Sequence, residues 1–442
     1  MMRRNMQNDR MNFILPVVAE NVFTAGVSLF YSAVTGAISP GALAASSVAN
    51  QAMNLIFAAF AMLSTGSAVI VARYTGRGDN AKASRTAEAT IFMALFSGIL
   101  FTLLLLATSS PVMKLLMPNA EADFFKEGMK YYRLILLSVP PVIISNSAAS
   151  MLRAAGNSRQ VLFSNILTNA VLLFCVWLFT SVLSLDISGA ALATVIARYV
   201  SAAFLLHSVI KNQRGFCVNK ARIFKPELGE VKHIFRVGFP EIIGSMSVQL
   251  AYVIVNSILV SIGRNEASVV SVLNSVLILT GITQGIGSVA ATTLVGHKAG
   301  AGYIAGARRT GLRILLVCEA VSMALCVPAV AFSGFSASLF AETPRIIEDS
   351  AAFMWILFPY CIVAVGVNVC EPTARVGGEI RFTMAVILIC VWLIRLPLTY
   401  LLAVRLGMGY KGIYAANILS LSVRFTLSLL KITGRHWGVN EI

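Results

Sequence analysis

Charge is scarce in this sequence. Asp, Glu, Lys and Arg make up 12% of the 442 residues, about half the share of an ordinary soluble domain, while apolar residues make up 57% and mean hydropathy is +0.80. Disorder is excluded by the hydrophobicity, and a single-span receptor by its spread over the whole chain. Four histidines (His207, His233, His297, His436) are scattered, and the seven cysteines show no metal-ligand spacing, so no metal centre and no disulfide framework is expected. No Gly-rich loop ending in Lys-Ser/Thr is present, which removes an ATPase of the chain's own, and no G-x-S-x-G elbow offers a nucleophile. The expectation is a protein that is not an enzyme. Near the start, Arg3, Arg4 and Arg10 precede an apolar run of spanning length without a small-residue cleavage site, which reads as a first transmembrane helix rather than a removable signal.

What is abundant is spanning sequence. A bilayer core takes about 20 apolar residues per helix. Twelve such runs are found, at 12–36, 46–72, 88–110, 131–151, 160–184, 188–210, 235–262, 268–296, 311–333, 350–371, 382–404 and 410–432. The 35 Lys and Arg against 19 Asp and Glu then acquire an ordinary meaning. With the N-terminus inside, about 24 basic residues fall in cytoplasmic segments, about 8 in outer ones and three (Arg198, Arg395, Arg424) within spans. That bias predicts a multi-pass protein of the plasma (inner) membrane with both termini cytoplasmic. The basic residues are shared among all inner loops without interleaved aromatics, which argues against nucleic acid as a partner.

The chain also repeats itself. Shifted by 224 residues, Pro16 meets Pro240, Asn50 meets Asn274, Gly76 and Gly78 meet Gly300 and Gly302, and Arg85-Thr86 meets Arg309-Thr310. Between 16 and 86 about 14 of 71 positions are identical without a gap. Further on, Arg153, Gly156 and Arg159 meet Arg375, Gly378 and Arg381, and Gly189 meets Gly412. Six spans separate the copies, so both halves enter the membrane from the same side, and a pseudo-two-fold axis along the membrane normal follows. The predicted fold is all-α and polytopic: twelve helices in two six-helix bundles, 1–210 and 235–442, around a central cavity and joined by a basic cytoplasmic linker at 211–234.

Ionisable residues inside such a fold cost about 2.5–3.5 kcal/mol each at the helix centre. Glu20, Glu241, Glu319 and Glu371, with the three arginines, must therefore line water, pair with one another or sit at an interface. Glu371, next to Pro372 at the end of the tenth span, reads as interfacial. In the first span Glu20, Thr24, Ser28, Tyr31 and Thr35 form one stripe at helical spacing; in the seventh, Glu241, Ser245, Gln249, Tyr252 and Asn256 repeat the same steps. Equivalent polar faces headed by carboxylates suit a shared cavity, with helix–helix packing as the alternative. Asn50, Asn169, Asn274, Gln284 and Arg395 join the candidate lining. The four glutamates are candidates for proton or cation coupling, with H+ or Na+ as the coupling ion and no other cofactor.

Met151-Leu-Arg-Ala-Ala-Gly-Asn-Ser-Arg159, Asn165, Asn169, Gly189-Ala-Ala-Leu-Ala-Thr194, Pro16, Ala42-Leu-Ala-Ala45, Gly76-Arg-Gly78 and Gly300-Ala-Gly302 together resemble the multidrug and toxic compound extrusion family over essentially the whole chain. The resemblance implies two V-arranged lobes and export of small organic cations or related drugs in exchange for sodium or protons, by a monomer in the lipid bilayer. This sequence departs from the pattern at three places. The positions where many members carry acids are Tyr31, Leu173 and the neighbourhood of Gln249, so Glu20 or the acids of the second half have to substitute. The alternative is a relative in the wider flippase superfamily that exports an anionic metabolite or lipid-linked precursor through Arg198, Arg395 and Arg424.

Overall fold

A computed structural model describes residues 26, 50, 53–116, 122–183, 185–211, 216–341, 343–434 and 437–438. Every regular element among them is a helix. Among the described residues nine helices are long and apolar enough to cross a bilayer, and two bent pairs raise the number to eleven. These coincide with the second to twelfth spans read from the sequence; the first span, 12–36, lies outside the described residues apart from Gly26, a helical residue. The protein is an all-α, multi-pass membrane protein.

Most helices run past their apolar stretch. The third span begins at Asn80, eight residues before its hydrophobic run, because Asp79 accepts a hydrogen bond from the Lys82 amide at 3.1 Å and so caps the helix. The ninth begins at Ile304 and carries Arg308, Arg309 and Arg313 on its first turns. The fourth span is bent by 47° between Leu136 and Val139, just ahead of Pro140 and Pro141, which donate no backbone hydrogen bond.

Two compact units divide the chain, Met1–Ile242 and Ile243–Ile442. In the first, Val71, Ala72, Ala83, Ala87, Ala148, Met151 and Leu152 form the core. Alanine dominates because helices in lipid associate through close backbone packing. At Gly66 the second and seventh spans touch so closely that an added Cβ would lie 3.0 Å from the Gly238 Cα. Phe96, Leu103, Leu104, Phe163 and Phe174 point outward, as a lipid-facing surface requires. The segment after the sixth span packs on this unit. Phe216, Val218 and Ile223 enter its core, the Asn219 amide donates to buried Glu88 at 2.8 Å, and Arg85 pairs with Glu227 at 3.0 Å.

The repeat is visible in the backbone of each unit. Gly78 and Gly302 end their helices at φ +76° and +78°, and Gly156 and Gly378 turn the chain at +84° and +95°. These are left-handed conformations in which glycine carries no Cβ penalty, which is why both copies keep it. A buried aromatic follows the last helix of each half, Phe216 in one and Trp437 in the other. Trp437 lies so close to Gly377 that a Cβ there would overlap the indole.

The fifth and eleventh spans show where the copies diverge. They start at Ser158 and Ile380, an offset of 222. Their last π-helical stretches start at Trp177 and Tyr400, an offset of 223. Between these points the eleventh span alone carries a further π-helical stretch, Ile389–Arg395. One extra residue has been absorbed there as a wider turn, and Arg395 ends it.

Candidate functional site

The second unit gathers the polar side chains. The tenth span supplies Tyr360, Asn368, Glu371 and Arg375 on one helical face. Glu371 is 5% exposed and Arg424 of the twelfth span 8%. The guanidinium donates from Nε to Oε1 at 2.9 Å and from Nη2 to Oε2 at 3.0 Å, a bidentate pair, while Arg375 lies 3.6 Å away. Glu371, which the sequence reading put at an interface, lies five residues before the helix ends at Val376, with its carboxylate buried against two arginines. Lys431 pairs with Glu379 at 3.2 Å nearby. The repeat does not carry this pair into the first unit. Ala149 stands opposite Glu371 in the repeat, and Ser201, with its hydroxyl 3.2 Å from that of Ser164, takes the place of Arg424.

Above the network the eighth, tenth and twelfth spans are tied by amides and hydroxyls. Asn368 Nδ2 donates to Gln284 Oε1 at 3.1 Å, and Tyr414 Oη to Asn274 Oδ1 at 3.1 Å. Tyr360 and Tyr414 meet edge to face with ring centroids 6.2 Å apart, and Asn417 of the twelfth span lies beside Tyr360. The Arg395 guanidinium lies 4.4 Å from the Tyr252 ring centroid, a cation–π contact joining the eleventh and seventh spans.

Glu319 is different. It sits within the ninth span beside Cys318, against which Gly287 of the eighth span packs, and within electrostatic reach of Cys370 of the tenth. Both of its carboxylate oxygens are shut off from solvent and have no hydrogen-bond partner among the described residues; the Ser322 hydroxyl, three residues on, is in the same condition. A buried carboxylate in that state demands a companion: a proton, a metal cation or a cationic ligand.

The seventh span divides into three faces. Gly244, Ser247, Ala251, Val255 and Leu259 are buried, and Leu250, Val253, Ile254 and Val260 form an exposed apolar sector. The predicted stripe lies between them: Glu241, Ser245 and Gln249 are half-buried, and Tyr252 and Asn256 exposed. These residues therefore do not close the tight seam within the unit. Asn169 is half-buried on the fifth span, Asn50 is an exposed helical residue, and Arg198 is exposed on the sixth span. Glu20, Thr24, Ser28 and Tyr31 lie outside the described residues. The structure thus brings together Tyr252 with Arg395, Asn274 with Tyr414, and Gln284 with Asn368, whereas Asn50 and Asn169 belong to the other unit. Tyr360, Asn368, Tyr414 and Asn417 escaped the sequence reading, although their spacing carried the signal. No group of three or more His, Cys, Asp and Glu suited to a metal occurs among the described residues.

Comparison with known proteins agrees with the repeat. The family model described as MatE matches twice, at residues 16–178 and 240–401. The probable multidrug resistance protein NorM of Thermotoga maritima is 25% identical over 98% of this chain and 93% of its own length. The multidrug export protein MepA of Staphylococcus haemolyticus is 23% identical over 65% of this chain and 62% of its own. Among solved structures, the outward-facing conformation of a multidrug resistance MATE family transporter of the MOP superfamily superposes with a TM-score of 0.86, at 18% identity, over 96% of this chain and 94% of that one.

Proposed function

The chain belongs to the MatE family of membrane transporters, and from that premise we propose that it is a secondary active efflux transporter and not an enzyme. It exports organic, cationic and amphipathic compounds by alternating access, in exchange for H+ or Na+. It acts as a monomer in the plasma membrane with both termini in the cytoplasm, as two six-helix lobes (1–210 and 235–442) joined by the basic segment 211–234.

The observation that carries the exchange chemistry is Glu319, half-buried on the ninth span, with both carboxylate oxygens enclosed and without a hydrogen-bond partner among the described residues. In one state of the cycle a proton or sodium ion neutralises it, and in the other the cationic substrate does, so that the two ligands compete for one site. The membrane potential adds about 2.3 kcal/mol per charge per 100 mV to the driving force. Glu371 is less suited than Glu319, because two guanidiniums already neutralise it. Glu20 and Glu241 are the further candidates toward the first half.

Everted vesicles bearing the protein should extrude a cationic dye when energised, and Glu319→Gln should abolish this. Dye flux untouched by Glu20→Gln, Glu241→Gln and Glu319→Gln together would reject carboxylate coupling. The alternative, export of an anionic metabolite or lipid-linked precursor, drew on three arginines. Arg424 is engaged by Glu371, while Arg395 has no carboxylate partner among the described residues and keeps that reading in play.

A further inference from the structure

We propose that Arg395 and the tyrosines around it form an anion-recognition subsite within the second unit, which takes the carboxylate of an aromatic acid. The subsite deepens the transport reading by giving the exported amphipath an anionic group beside its cationic one. Binding at Arg395 itself does not depend on that reading.

Three observations converge on it. Arg395 is 6% exposed in the middle of the eleventh span, yet no hydrogen bond or ion pair reaches it among the described residues, and its Nε is buried without an acceptor. Arg424, in the same unit, shows what a structural intramembrane arginine looks like here, with a bidentate carboxylate of its own. Three acids of the unit are committed elsewhere, Glu371 to Arg424 and Arg375, Glu379 to Lys431, and Glu266 to the Tyr410 amide, and no ion pair joins Arg395 to Glu319 among the described residues. A cation–π contact to Tyr252 offsets part of the cost of burying a guanidinium but leaves its hydrogen-bonding fork empty.

Second, Arg395 closes the one π-helical stretch of the eleventh span that the fifth lacks, and either residue opposite it in the repeat, Leu172 or Leu173, is apolar. The extra residue and the charge occur together. Single π-helical turns inside α-helices are frequent at functional sites, where they redirect a side chain.

Third, the surroundings suit an aromatic acid. The Arg395 guanidinium lies over the Tyr252 ring, and Tyr360 and Tyr414 of the same unit meet edge to face with centroids 6.2 Å apart. Thr399, one turn beyond Arg395, has a buried hydroxyl without a partner among the described residues. A planar carboxylate can take two parallel hydrogen bonds from the guanidinium and one from Thr399 while its ring stacks on the tyrosines. Tyr252, 43% exposed, brings the cluster to the surface of the unit.

The test uses the full chain in lipid nanodiscs, without any gradient, and two dyes differing at one group: rhodamine 110, a free aromatic acid, and rhodamine 123, its methyl ester. Fluorescence anisotropy should show the acid binding about tenfold more tightly than the ester, the value of charged hydrogen bonds that the ester cannot accept. Arg395→Gln should bring the acid down to the affinity of the ester and leave the ester unchanged, and Arg395→Lys should restore part of the preference. Equal affinities in the unaltered protein overturn the proposal. So do equal losses of both dyes in a folded Arg395→Gln variant, and so does the absence of binding by either dye. Loss of dye export with the acid preference intact would instead count against the transport reading alone.

Discussion

Replacing Arg424 by methionine should unfold the second unit early. Arg424 and Glu371 are both buried and share two hydrogen bonds of 2.9 and 3.0 Å. Methionine fills much of the volume but leaves Glu371 with Arg375 alone, at 3.6 Å. Removing one partner of a buried pair costs about 3–5 kcal/mol, because the remaining charge is stranded. The residual attraction of Arg375 places this case near the lower end. For a unit of this size about 2–4 °C of midpoint is lost per kcal/mol, so the fall should be about 6–12 °C. Thermal unfolding of the purified protein, followed by tryptophan fluorescence, measures it. The double variant Glu371→Gln/Arg424→Met should recover most of the loss, since no charge is then stranded. Arg395→Met should not destabilise at all, because it strands nothing. A change under about 2 °C for Arg424→Met, or a double variant as unstable as the single, would refute this account of the pair.

Two other outcomes test how the repeat is built. Gly302→Ala forces a Cβ onto φ +78° and should cost about 1–2 kcal/mol, as should Gly78→Ala at +76°, each lowering the unfolding midpoint by a few degrees. Trp437→Ala removes a fully buried indole and should cost about 3–5 kcal/mol, releasing the segment after the twelfth span to limited proteolysis; Gly377→Ala, whose Cβ would displace that indole, should release it too.

The fold was legible because membranes simplify the sequence code. Spans two to twelve stand where apolar runs place them, and the 224-residue repeat paired Gly78 with Gly302, both of which the structure shows to be left-handed. Helix ends were less legible. A hydropathy run stops at the first charges, whereas the backbone ladder continues through Lys82 and Arg85, or Arg308 and Arg309, until a cap or turn ends it. The site was legible in part. Helical spacing brought out Tyr252 and Gln249 in the seventh span, and the same spacing in Tyr360, Asn368, Glu371 and Arg375, or in Tyr410, Tyr414 and Asn417, would have exposed the polar faces of the tenth and twelfth. Two properties could not be read from one strand of text. Pairing decides that Glu371 is satisfied and that Glu319 has no partner among the described residues, and it depends on which helices lie side by side. The extra π-helical turn before Arg395 leaves no compositional mark and shows only as a one-residue change in the offset between the copies.

Coupling through Glu319 is the claim on which the mechanism turns, and counterflow in proteoliposomes tests it most directly. With no gradient imposed, a cationic substrate added on one side should drive H+ or Na+ across the membrane in the opposite direction, recorded by an entrapped pH dye or by labelled sodium. The unaltered protein should show this movement and Glu319→Gln should not, although substrate still binds. Substrate transfer without ion counterflow, or equal counterflow in both proteins, would contradict the account.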